Sequence, residues 1–426
     1  MRPGPGSTEE CRNADEVRQG ICRLKVRRDT IMMLAAQSFY RLSGFVIVMV
    51  LARSLPAATI GAFVFAVAFA ESFLAIANFG LNSVMSRRVA ADPASAASHF
   101  SVVVGFRLVS GVVYVTIVTL AAVLFTSAPW KLMLAATLIV LAEDIYYSFG
   151  SLFLALRKAV YNVTLGVTVQ TVFIVVLLVG MYLRPSLWLL VAVNAVRAFA
   201  LVLGAAWLTQ RKLFALSMSW DSVAVRAALP FVGMAVVNAL RDQIGVVMLG
   251  LLSNYDAVAY YNLVSRVQTA SLAVPTAVAA VLTPLIVANG LDDGNRKRLV
   301  TATMLILGVA LMGSAIVMAF PDRIAAILYG PLAPSTAPLV PVLGLIFPVS
   351  FMALFCSLVL QALYRELHVL RTMIVVAVSN VLLNLLLIPG SGAKGALYAL
   401  LIATTIQLAI LSRDLTVKLA DRTSPA

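Results

Sequence analysis

Arg41 sits in the stretch AAQSFYRLSGFVIVMV, residues 35–50, most of which is apolar. Arg107, Arg197, Arg241 and Arg266 also fall inside long apolar runs, as do Glu71, Glu143, Asp144 and Asp242. A charge at mid-bilayer costs at least ~2.5–3.5 kcal/mol on insertion scales and is tolerated where it faces water or a partner. The nine residues therefore mark buried ion pairs between helices or a wet cavity. Apolar side chains would pack such helices more cheaply, which favours the cavity. Five cations against four anions suit an anionic cargo, because guanidinium grips phosphate with paired hydrogen bonds. A cavity for cationic drugs would favour carboxylates and aromatics.

Arg41 lies about eleven residues into its run, or about 17 Å at helical rise. Gln37, Arg41 and Gly44 share one helical face, and so do Asn238, Arg241 and Gly245. Arg197 follows Asn194 by a turn, and Arg266 follows Asn262. Arg41, Arg241, Arg197 and Arg266 are therefore the candidate substrate-binding residues. Arg107 lies near a span end and is expected to snorkel. Glu71, Asp242, Glu143 and Asp144 are candidates for coupling to protons or ions. Glu71 is expected to share a stripe with Asn78 and Asn82, whereas the neighbours Arg241 and Asp242 point about 100° apart. Asn380 and Asn384, one turn apart, read as helix-packing contacts rather than ligands. Pro275, Pro284, Pro341 and Pro348 are expected to kink or loosen spans.

Other chemistries find no support. Cys11, Cys22 and Cys356 fit neither a zinc pattern nor a disulfide framework. His99 and His368 are far apart in sequence. No catalytic residue, metal site or cofactor is expected.

The elements that position these charges are membrane helices. The 426 residues are 62% hydrophobic and only 12% charged, with a mean hydropathy of +0.99; a soluble chain carries about 25% charged residues. Long continuous apolar runs exclude a barrel and predict an all-α polytopic membrane protein. Twelve spans are expected, at 30–53, 57–81, 101–125, 129–155, 159–182, 186–209, 227–251, 256–287, 299–320, 338–363, 368–389 and 395–414. The first is too long for the apolar core of a signal peptide. Of the 32 Lys and Arg, 22 then fall on the side of the N-terminus, five on the other and five inside spans. That asymmetry places both termini in the cytoplasm. The net charge of +14 is thus a topology signal with some attraction to anionic membrane lipids, and nucleic acid is not a partner. No loop is long enough for a soluble catalytic domain.

The halves look alike. SFYRLSGFVIVMVLARSLPAATIGAFVFA begins at Ser38 and NALRDQIGVVMLGLLSNYDAVAYYNLVSR at Asn238, which sets Arg41 on Arg241. The division expected is a disordered cytoplasmic tail at 1–28, six-helix bundles at 29–212 and 213–415, and a cytoplasmic tail at 416–426. A parallel repeat of this kind places the substrate site between the halves near the midplane.

VLARSLPAATIGAFVFAVAFAESFLAIANFGLNSVMSRRVAADP, ILYGPLAPSTAPLVPVLGLIFP and LNLLLIPGSGAKGALYALLIA resemble the polysaccharide biosynthesis proteins, the O-antigen and exopolysaccharide repeat-unit flippases of the multidrug/oligosaccharidyl-lipid/polysaccharide exporter superfamily. The likeness extends over nearly the whole chain after about residue 30. Pro56 stands where the family often has Gly. The resemblance implies two six-helix bundles around a cavity lined largely by spans 1, 2, 7 and 8, which carry Arg41, Glu71, Arg241, Asp242 and Arg266. It implies movement of an undecaprenyl-pyrophosphate-linked oligosaccharide across the bacterial inner membrane, with a polysaccharide polymerase and export machinery as further partners. The alternatives are a drug/cation antiporter of the same superfamily and a membrane polysaccharide polymerase or ligase, the latter disfavoured by the short loops.

Overall fold

The computed structural model describes residues 32–33, 35–290 and 292–420. The tail expected at 1–28 lies outside them. Every described element is a helix, and no strand occurs among the described residues.

The chain runs through α1 (Ala35–Ser54), α2 (Ala57–Ser72), α3 (Leu74–Asn78), α4 (Leu81–Ala91), α5 (Ala96–Phe125), α6 (Trp130–Ala155), α7 (Ala159–Leu183) and α8 (Leu187–Lys212). It continues through α9 (Ser222–Leu252), α10 (Tyr255–Ser271), α11 (Ala273–Asn289), α12 (Asp293–Ala319), α13 (Pro321–Tyr329), α14 (Ala333–Thr336), α15 (Val340–Ala362) and α16 (Glu366–Ala420). Among the described residues nine helices are long and apolar enough to cross a membrane, or ten when one bent pair counts as a single span. The chain is a multi-pass membrane protein.

Local chemistry sets the starts. Ser186, Asp221, Asn254 and Asp292 each accept a hydrogen bond from a backbone N–H in the first turn of α8, α9, α10 and α12. Such caps satisfy donors that the helix itself cannot. Several helices outrun the apolar stretches that announced them. α5 begins at Ala96, α9 at Ser222, α12 at Asp293, and α16 continues to Ala420 beyond the expected 415 boundary.

The second expected span, 57–81, is not one straight helix. Phe79 and Gly80 are left-handed, with φ of 48° and 72°, and the segment bends by 43° between Ala57–Ser72 and Leu74–Ala91. α5 braces the break. The Tyr114 hydroxyl donates to the Ala70 carbonyl at 2.8 Å, and Ser110 donates to the Ala77 carbonyl at 2.8 Å. Buried backbone freed from a helix needs such partners. The expected stripe of Glu71, Asn78 and Asn82 is therefore lost: Asn78 instead accepts the Gly80 N–H at 3.1 Å, and Asn82 is buried in α4.

The expected eighth span divides at Leu272 into α10 and α11. Pro275 has no N–H to donate into the preceding turn. Pro284 and Pro348 lie inside α11 and α15 without ending them. The 55 residues of α16 would run about 80 Å if continuous, far beyond a hydrocarbon core of about 30 Å. Gly392, with φ 51° and ψ −129°, breaks it, between the spans expected at 368–389 and 395–414.

α5 to α8 pack on one another, as do α11, α12, α15 and α16, and the two groups meet where α2 lies against α9 and α10. Phe65, Leu249, Val258 and Val264 are fully buried along that seam. A Cβ on Gly61 would lie 1.7 Å from the Tyr255 carbonyl oxygen, so this approach of α2 to α10 requires glycine.

Candidate functional site

Adjacent acids on α6 serve two different arginines. Asp144 forms a buried ion pair with Arg107 of α5, and Arg107 also donates to Ser148 Oγ at 2.9 Å. This corrects the expectation that Arg107 snorkels: a carboxylate faces it inside the helix bundle, and leaving would strand that charge. Glu143, pointing about 100° away from Asp144, pairs with Arg197 of α8. The Arg197 guanidinium also lies 5.1 Å from the Phe173 ring centroid. Arg197 and Glu143, candidates for cargo and coupling, are thus brought to each other, at the partly exposed end of the cluster.

Arg41 is half-buried on α1. It makes no ion pair or hydrogen bond with another described residue. Two residues on, Ser43 accepts a hydrogen bond from Gln170 at 3.0 Å, which fastens α1 to α7. Arg241 lies on α9, and its side chain is outside the described part of the structure.

Glu71 ends α2 beside the seam. The Gln243 amide of α9 donates to its carboxylate. Glu143, Arg266 and Asp242 all act on Glu71 electrostatically, so Glu71 feels two further acids and one arginine drawn from both sides of the seam.

From Gln243 the wall continues into a cavity of about 470 Å³ between α9, α10, α15 and α16. Asp242 and Arg266 both line it. The structure thus brings together Arg266, Asp242 and, through Gln243, Glu71. Asn380 also lines it, contrary to a pure packing role, while its Oδ1 accepts from Asn384 at 2.7 Å. Gln268, Ser350 and Gln407 are uncharged wall residues, not among the charged candidates of the sequence. Gln407 was findable, as a lone amide in the apolar run IATTIQLAIL.

Among the described residues no group of His, Cys, Asp and Glu could hold a metal ion. What the arrangement offers is a cavity of mixed charge, with the Arg266 guanidinium and the Asp242 carboxylate on its wall, inside a membrane bundle.

This fold is shared by transporters of the MOP superfamily. The chain superposes on the lipid II flippase MurJ in its inward closed conformation with a TM-score of 0.74 at 13% identity, covering 93% of this chain and 94% of that one. An inward-facing multidrug resistance MATE transporter gives 0.66 at 13% identity, over 90% and 96% of the two chains. A MOP-superfamily transporter from Pyrococcus furiosus, described as having a binding pocket of reverse polarity, gives 0.59 at 15% identity, over 93% and 95%. No curated protein sequence matched. Within this fold the chain belongs to the polysaccharide biosynthesis protein family, whose model matches residues 26–289. The stretches around α13 to α16 that resemble the family lie beyond that match.

Proposed function

We propose that the protein is a flippase of the bacterial inner membrane, carrying an undecaprenyl-pyrophosphate-linked oligosaccharide repeat unit for O-antigen or exopolysaccharide assembly. It has twelve spans in two six-helix bundles, 29–212 and 213–415, with both termini cytoplasmic. Arginines at the seam hold the diphosphate, the sugars occupy the wet interior, and the lipid tail stays in the bilayer. Rocking of the halves then exposes the headgroup outside. A polymerase and export machinery would take the product.

The observation that carries this reading is Arg266 on the wall of a polar cavity in a chain of the polysaccharide biosynthesis family. The rival is a drug/cation antiporter, favoured by the carboxylates Glu71 and Asp242 near that cavity. Purified protein in liposomes separates the two. Lipid-linked oligosaccharide should cross with its bonds intact, and cationic dyes should not accumulate; dye export with no movement of the lipid would reverse the assignment.

A further inference from the structure

The α9–α10–α15–α16 cavity carries more uncharged hydrogen-bonding groups than a diphosphate could use. Asn262 is only 8% exposed and lines the wall. Its side-chain amide has no hydrogen bond to another described residue. Asn380 is 6% exposed, and Asn384 occupies its Oδ1 while no described residue engages its Nδ2. Gln268 is oriented by donating to Ser350 Oγ at 3.3 Å, which leaves its carbonyl oxygen available. Gln407, half-buried on α16, is likewise not engaged by a described residue.

An amide offers two donors and an acceptor with two lone pairs. These amides face the cavity, where water can meet them, so a ligand that displaces that water must return both donors and acceptors. A phosphate returns acceptors only. An inorganic cation wants oxygens alone and a far smaller site; about 470 Å³ falls within the ~300–1,000 Å³ of small-molecule pockets. An aromatic drug would find a single ring, Tyr261, among the lining residues. Sugar hydroxyls both donate and accept, and a short uncharged saccharide fits the volume.

We infer that this cavity is a saccharide subsite, in which Asn262, Asn380 and Gln407 select the uncharged sugar residues of the cargo. The inference rests on the flippase reading and deepens it. Each amide should contribute about three- to tenfold to binding of the sugar-bearing lipid and nothing to binding of the bare lipid diphosphate.

The test is native mass spectrometry of the full-length protein in detergent. The two probes are undecaprenyl pyrophosphate and the lipid-linked oligosaccharide extracted from the source membranes. Wild type should bind the sugar-bearing probe at least about tenfold more tightly than the bare one. Asn262→Leu and Gln407→Leu should each erode that preference while keeping bare-lipid binding and wild-type thermal stability; Asn380→Leu should erode it too, with some loss of thermal stability because Asn384 loses its partner. The three changes sit on different helix segments, so misfolding of one leaves two that can decide. A preference that survives all the folded variants overturns the subsite. So does a wild-type protein that binds both probes equally, and so does sodium-dependent heat stabilisation that Asn380→Leu abolishes while the sugar preference stays. Binding of neither probe by wild type would instead sink the flippase reading itself.

Discussion

Arg107 of α5 and Asp144 of α6 form an ion pair whose side chains are 5% and 4% exposed. Removing one partner of such a pair leaves a buried, uncompensated charge and costs about 3–5 kcal/mol, whereas replacing both by apolar residues is often neutral. Arg107→Leu and Asp144→Leu should each lower the unfolding temperature of the detergent-solubilised protein, and the double variant should regain most of the loss. Equal losses in the double and single variants would mean that the pair does not act as a unit.

The expected orientation places Lys394 outside and Asp293 inside, and both are exposed. In a chain with Cys11, Cys22 and Cys356 replaced, an impermeant thiol reagent added to intact cells should modify Lys394→Cys and spare Asp293→Cys. The opposite pattern would invert the topology drawn from the basic residues.

The fold was legible where physics is local. Apolar length marked the helices but not all their starts: α9 and α12 begin behind the caps Asp221 and Asp292, ahead of the apolar stretches expected from 227 and 299. Partnership was not legible. The depth of Arg107 in its span says where a side chain could snorkel, but only the packing of α5 on α6 shows the carboxylate facing it. The break at Phe79–Gly80 was hidden too, because a non-glycine residue at φ 48° is imposed by tertiary contacts rather than by preference. Charges inside apolar runs drew attention to Arg266 and Asp242, yet the uncharged Gln268 and Ser350 beside them carry no such contrast with the membrane.

Coupling is expected where Glu71, Gln243 and Asp242 adjoin the seam. We propose that at least one of the two carboxylates changes its proton or ion occupancy during the cycle. Glu71→Gln with Asp242→Asn should abolish or flatten the dependence of transport on pH or sodium. Full transport by the double variant with unchanged pH and sodium profiles would remove both residues from the driving mechanism.

Arg41 and Arg241 hold matching places in the two halves of the sequence. We propose that they bracket the cargo diphosphate. Losing one charge-assisted contact should cost on the order of 1.5–3 kcal/mol, or about ten- to a hundredfold in binding. Arg→Lys retains charge but loses the fork, so it should be milder than Arg→Ala, and Arg→Glu should be worst. Restoration of surface polysaccharide, with membrane levels of each variant checked, is the measurement. Wild-type polysaccharide from normally expressed Arg41→Ala and Arg241→Ala would leave both as structural charges.

The end of the seam that carries the α1–α2 and α9–α10 turns is bridged by contacts between distant parts of the chain. Arg53 Nη2 donates to the Ile327 carbonyl at 2.5 Å, 274 residues away in sequence, and Gly61 lets the Tyr255 carbonyl approach α2 closely. If the halves rock apart there to release cargo, both contacts belong to the closed state alone, and weakening them shifts the population toward the open one. Arg53→Ala removes one exposed hydrogen bond and should shift it by no more than about tenfold. Gly61→Val places branched carbons where an oxygen now lies, with backbone on both sides and little room to yield, so it should shift the balance further. A cysteine at Ala257, which is buried near this contact, reports on the opening. Its labelling by an impermeant reagent from outside should be slow in the parent, faster with Arg53→Ala and fastest with Gly61→Val. Cysteines buried elsewhere, such as Cys356, should stay unreactive in both variants, which separates opening of this end from general unfolding. Unchanged labelling at Ala257→Cys in both variants would mean that this end of the seam is static and that the halves part somewhere else.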